Sequence, residues 1–290
     1  DAMGHKDHEG MARTPRFKRV VALLGDSAGL GGAVGVSPGS VAEIADATLD
    51  ASHAGLQRAK SDEGLAYCVY LMAQITQAAR ADDFRTALSE AGLPIDRPTS
   101  GDPGDSHDVT STSTAYSVYD LVSSFTTAVD NHLRRTRSRN DISELAQLAA
   151  SESLTALCRS RADTLFGTSE ATVQQSLKAL GTKKGFATLT HDFFSRLTKR
   201  YLEYHLSREL SNHVGRDRRF AGVREHNEFR EQLDCNCRAA TASVRQFAGD
   251  WYSKHNFKQD LTLAKTKGFA AHAIDKVRDA LRFQEERDGN

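Results

Sequence analysis

The last proline of this 290-residue chain is Pro103. The five prolines are Pro15, Pro38, Pro94, Pro98 and Pro103, and the remaining 187 residues contain none. Inside a helix, proline removes a backbone donor and drives its ring into the preceding turn, at a cost of about 3 kcal/mol. A tract this long without proline permits unbroken helices. Whether they form is decided by the spacing of apolar residues.

That spacing is helical almost throughout. Ser40-Val41-Ala42-Glu43 has the form of a capping box after Pro38-Gly39, and Val41, Ile44, Ala45, Thr48 and Leu49 follow at 3-4 intervals. From about Asp62, a stripe of Leu65, Cys68, Val69, Met72 and Ile75 has nearly apolar neighbours, which predicts a central helix. A short helix over 82–91 ends at Gly92, ahead of Pro94. Residues 94–114 are turn formers and small polar residues, and read as a linker. Beyond it, Tyr119, Val122, Phe125, Val129 and Leu133 share a face. Asn140 or Asp141 caps a helix with Ile142, Leu145, Leu148, Ala149 and Leu157 that runs to near Gly167. Thr168 or Ser169 caps another with Val173, Leu177 and Leu180, closed by Gly181. The longest pattern, 185–215, carries Phe186, Leu189, Phe193, Leu197, Tyr201 and Tyr204, and two more helices are expected over 224–254 and 260–286. Period-two alternation is nearly absent. The expectation is an all-α bundle of about eight helices, with a small acidic unit at 40–93 and a larger basic domain at 115–290.

Composition narrows the class. At 39% hydrophobic and 26% charged, the chain is ordinary for a globular protein. No apolar run approaches the ~18 residues of a membrane-spanning helix. Residues 1–10 read as a vector-derived leader with a native start at Met11, and 11–39 as a flexible glycine-rich segment. The apolar run Val20–Leu24 is too short for an export signal, and four scattered cysteines suit a reducing compartment, so a cytoplasmic location is expected. Lys+Arg and Asp+Glu balance at 38 each, but unevenly: residues 1–130 hold 10 basic and 18 acidic side chains, residues 131–290 hold 28 and 20. A basic C-terminal half points to nucleic acid or an acidic partner. The Arg-rich, Lys-poor balance is compatible with a high-GC bacterial genome.

Several motifs carry candidate chemistry. Gly25-Asp26-Ser27-Ala28-Gly29 is similar to the nucleophile elbow of hormone-sensitive-lipase-type esterases, a resemblance that implies Ser27 as nucleophile. The strand–helix alternation that would build the sheet beneath such an elbow is missing, and the glycines read as a flexible joint. R-x4-H occurs twice, as Arg200…His205 and Arg208…His213, and resembles the signature of the all-helical HEPN superfamily, many of whose members are ribonucleases. The resemblance implies an arginine that stabilises charge on the phosphate and a histidine that moves the 2′-hydroxyl proton. Glu209 supplies the polar residue HEPN proteins carry after the arginine, which favours Arg208 with His213. On a continuous helix, a five-residue step rotates by ~140°, which splays either pair.

Cys235-Asn236-Cys237, with His226 and Asp234 nearby, lacks the second ligand pair of a closed zinc site, so no metal is expected. Cys68 and Cys158 fall on apolar faces as core thiols. No phosphate-binding loop is present and no cofactor is implied. The aromatic residues of the C-terminal half read as core rather than as a base-stacking surface. Arg216, Arg218 and Arg219, in a loop after Gly215, and Arg224 are the expected anion contacts. The function expected is a non-enzymatic interaction or regulatory protein of a bacterial complex, with a protein partner or a homodimer. A HEPN-like ribonuclease is the alternative, and a Ser27 esterase a remote one.

Overall fold

The computed structural model describes residues 15–24, 38–51, 53–93, 116–159, 170–215 and 220–288. Among them the protein is all-α, with twelve helices where nine helical patterns had suggested about eight, and the only extended pairing is an isolated bridge between Val214 and Phe220. In chain order the helices are α1 (Pro15–Leu24), α2 (Pro38–Ala51), α3 (His53–Lys60), α4 (Glu63–Ala78), α5 (Phe84–Glu90), α6 (Val118–Thr136), α7 (Asp141–Arg159), α8 (Glu170–Leu180), α9 (Lys183–Asn212), α10 (Val223–Ala240), α11 (Ala242–Phe257) and α12 (Leu263–Asp288).

Three departures from the sequence reading explain the larger count. Residues 15–24, expected within a flexible segment, form α1, whose Phe17, Val20 and Leu24 lie buried on one stripe. Residues 53–60 make a helix of their own, α3. The helix expected over 224–254 breaks at Thr241. There the threonine Oγ1 donates back to the Cys237 carbonyl at 2.9 Å and pairs with Ser195 Oγ at 2.5 Å, while Val244 N–H returns to Thr241 O at 3.0 Å. A hydroxyl bonded to its own helix's carbonyl bends the rod, and the i+3 return tightens the corner. A smaller correction concerns α2, which begins at Pro38 rather than behind Ser40, in the first turn where a missing N–H costs nothing. The expected linker 94–114, the elbow around Ser27 and the caps at Thr168 or Ser169 lie outside the described residues.

Helix α4 is the axis of the molecule, with twelve of its sixteen residues buried. It packs against α5, α6, α7, α8 and α12, while α9 lies against α7, α8, α10 and α11, and helices from both sides of 94–114 contribute to one hydrophobic core. A helix that starts in the interior, with Asp62 itself buried, cannot leave its first end groups to water. At its start, Asp62 Oδ1 accepts the Leu65 N–H at 2.7 Å and Asp62 Oδ2 accepts Asn140 Nδ2 at 2.6 Å. Asn140 in turn caps α7: its Oδ1 accepts the Ser143 N–H at 3.1 Å, and its own N–H donates to Ser143 Oγ at 2.9 Å. The two caps are one unit. Burial pushes the Asp62 carboxyl above its ordinary pKa, outweighing the Asn140 and Leu65 hydrogen bonds that lower it. At the far end, Gln174 Nε2 donates to the Ala79 and Ala81 carbonyls at 3.2 and 2.9 Å, and Thr76 Oγ1 pairs with Tyr252 OH at 3.1 Å.

The expected terminator Gly92 has φ 91°, and Leu93 N–H returns to Leu88 O at 3.1 Å with both leucines buried, closing α5 by a Schellman motif. Helix α9, thirty residues long, carries Phe186, Leu189, Phe193, Leu197 and Tyr201 buried as expected. Leu148, expected on the apolar stripe of α7, is half exposed.

Two predictions follow from this packing. A Cβ built on Gly64 falls inside contact distance of Ser143 Cβ and 2.9 Å from Leu133 Cδ2. Gly64→Ala should therefore destabilise by about 1–3 kcal/mol, read as a lower urea midpoint at unchanged slope. At the turn between α11 and α12, hydrogen bonds from Lys265 and His255 hold the Asp260 carboxyl down at about 2, below its ordinary 3.8. A depressed folded-state pKa supplies stability above the unfolded value, which is lost as pH falls through the folded one. Between about pH 4 and pH 2 the melting temperature of Asp260→Asn should fall less steeply than that of the wild type.

Candidate functional site

The long helix α9 carries both R-x4-H pairs, and its neighbours determine what each residue meets. Arg200 lies toward α7, where Nε donates to Glu152 Oε2 at 3.3 Å and Nη2 pairs with Glu152 Oε1. Arg196, one turn earlier, reaches the same carboxylate at 3.6 Å and donates to Asp192 at 2.7 Å. His205 sits edge-on between two tyrosines of its own helix, with ring centroids 4.6 Å from Tyr201 and 5.1 Å from Tyr204. Because α9 is continuous, Arg200 and His205 point ~140° apart around it. Arg208 lies on the last turns of α9, and its side chain is outside those described. His213 is the C-cap of α9 and is buried; its N–H donates to Leu210 O at 3.1 Å and its carbonyl accepts the Phe220 N–H at 2.9 Å. Arg216, Arg218 and Arg219 lie outside the described residues. Arg224 is exposed and donates to Glu228, one turn along α10, at 3.0 Å.

Much of the positive charge of the C-terminal half is matched by carboxylates. Lys199 and Arg238 share Asp234 at 3.3 and 2.9 Å, and Arg230 donates to Glu203 at 2.8 Å, which ties α9 to α10. Lys183 pairs with Asp250, Lys265 with Asp260, and Lys267 with Glu63. Beside that last pair, His132 Nε2 donates to Glu63 Oε1 at 3.1 Å and stacks on the Tyr67 ring at 3.8 Å. Burial raises the Glu63 pKa, but hydrogen bonds from Lys267 and His132 outweigh it and leave the carboxyl below its ordinary range.

One corner gathers several cations that no carboxylate pairs, and the sequence reading missed it. Arg134, Arg135, Arg137 and Arg139 fall within six residues at the exposed turn between α6 and α7. Arg137 takes a left-handed conformation, φ 52°, that ends α6. Arg139 pairs with Asp130 and, at 3.4 Å, with Glu144. Arg134 touches only the Asn131 amide oxygen, at 3.4 Å, and Arg135 donates to the Asn131 carbonyl at 3.3 Å. Among the described residues no carboxylate pairs with Arg134, Arg135 or Arg137. The signal was visible as four arginines just ahead of an asparagine cap. The corner also has a place in the fold. Tyr204 OH donates to Asp141 at 2.9 Å, so α9 meets the start of α7 eight residues before its own end.

Other chemistry is sparse. Among the described residues no three His, Cys, Asp or Glu side chains group so as to hold a metal ion. All four cysteines are free thiols; Cys68, Cys158 and Cys237 are buried and Cys235 is exposed. Burial drives the Cys68 and Cys237 thiols well above their ordinary pKa. An apolar cleft lined by Ile142, Phe194, Leu197, Tyr201, Ile274 and Val277 has a cavity of about 40 Å³, room for a few waters but well short of a substrate pocket. Phe186, Phe193, Phe194, Phe220, Phe229, Tyr252 and Phe269 are buried in the core, whereas Phe257 is exposed.

Removing the carboxylate that Arg196 and Arg200 share should cost about 1 kcal/mol, since the pairs are partly exposed. In a double-mutant cycle by urea unfolding, Glu152→Ala and Arg200→Ala should be less than additive. No helix among the described residues is long and apolar enough to cross a membrane. Comparison with protein-family models, with curated proteins and with solved structures finds no match for this chain.

Proposed function

We propose that this chain is a non-enzymatic helical interaction protein, a cytoplasmic subunit or regulator in a bacterial complex, that docks an acidic partner on its basic half. One observation carries the reading: of the candidate arginines, Arg200 is held by Glu152 in a two-point contact, about 140° around α9 from His205. An arginine that stabilises the phosphate and a histidine that moves the 2′-hydroxyl proton must converge on one phosphodiester. Four free cysteines support a reducing compartment.

The HEPN-like alternative rests on Arg208 and His213, and the same experiment separates it. Purified protein is incubated with RNA and, separately, titrated with polyglutamate and with nucleic acid at low salt. Expected are intact RNA and saturable binding to at least one polyanion. Cleavage by the wild type that Arg208→Ala and His213→Ala abolish would establish the ribonuclease instead. Failure to bind any polyanion would remove the docking role.

A further inference from the structure

Resting on that docking role, we infer that the exposed Arg134–Arg139 turn between α6 and α7 binds the phosphate backbone of nucleic acid. Its charge is the starting point. Along α9 and α10, Arg196, Lys199, Arg200, Arg230 and Arg238 are matched by carboxylates of their own or a facing helix, whereas Arg134, Arg135 and Arg137, three cations within four residues, pair with none among the described residues. Three guanidiniums at one convex corner present a dense set of planar donors, the geometry that suits phosphate oxygens.

Cations at a helix C-terminus also complement its dipole, but that accounts for Arg135, which reaches the Asn131 carbonyl, and leaves Arg137 beyond the helix without such a contact. The surroundings then choose between kinds of polyanion. Protein interfaces draw their energy from a few large apolar or aromatic anchors. Among the described residues the exposed large hydrophobic side chains are Tyr119, Leu148, Val223 and Phe257, and none lies on the turn. Tyr67, whose ring stacks on His132 of α6, is buried. A surface with charge and no anchor suits the phosphate backbone, where cations alone supply sequence-independent affinity.

The test uses the full chain and a fluorescein-labelled DNA duplex of about 20 base pairs, with an RNA duplex of the same sequence, followed by anisotropy. With about three phosphates contacted, binding should weaken roughly 15- to 40-fold between about 50 and 200 mM salt. Both duplexes should bind alike, because the corner reads no base. The triple variant Arg134→Gln/Arg135→Gln/Arg137→Gln should abolish measurable binding. Arg137→Gln alone removes no contact within the protein, and should weaken binding several-fold and lower the salt slope by about one. Arg245→Gln/Lys254→Gln/Lys258→Gln, exposed cations on and just after α11, should leave binding unchanged.

Absence of duplex binding, or binding that survives the triple variant, overturns the inference. If polyglutamate binds while the duplexes do not, the docking role stands and this inference alone falls. If neither binds, both fall.

Discussion

The joint cap of α4 and α7 is the contact on which the remaining architecture hangs. A helix that starts in the interior must have its first N–H groups satisfied by protein, and Asp62 does this for Leu65 while reaching across to Asn140, which serves α7 in the same way. Two helix starts are thereby held in register, and Gly64 lets their backbones close together where any side chain would intrude on Ser143. Desolvation of Asp62 opposes the arrangement, and three short hydrogen-bonding steps sustain it. With this end secured, α6 enters the α6–α7 turn with its arginines outward, and α9 can run along α7 and beyond it.

Electrostatics works on the outer layer. The surplus of cations in the second half of the chain does not spread as a uniform field; Asp192, Asp234, Glu152 and Glu203 neutralise it helix by helix along α9. Each exposed pair contributes little alone. Together they hold the α7–α9 and α9–α10 contacts at a set rotation.

How much of this was legible in the sequence follows from the range of each interaction. The buried stripes of α4 and α9, the start of α4 near Asp62, a cap at Asn140 or Asp141 and the Gly92 terminator depend on residues within a turn or two of one another, and local spacing and residue type expose them directly. The identification of Asn140 as a partner of Asp62, or of Glu152 as the carboxylate on Arg200, joins positions far apart in the chain, and no local pattern reports it. The break at Thr241 escaped for a similar reason, because its hydroxyl is aligned by Ser195 on another helix. Helix α1 was hidden by the glycines that follow it, although Phe17, Val20 and Leu24 keep a helical interval. The arginine corner was legible but unread: charge summed over a whole half obscured its local density at residues 134–139.

The distribution of thiols has a practical meaning. Cys235 stands open to solvent on α10, while Cys68, Cys158 and Cys237 are sealed in the interior and two of them resist ionisation. Alkylating reagents require the thiolate. A maleimide dye thus has one native attachment point, on the face of α10 that also bears Asp234 and Arg238, and any second adduct records an excursion in which the interior has come apart.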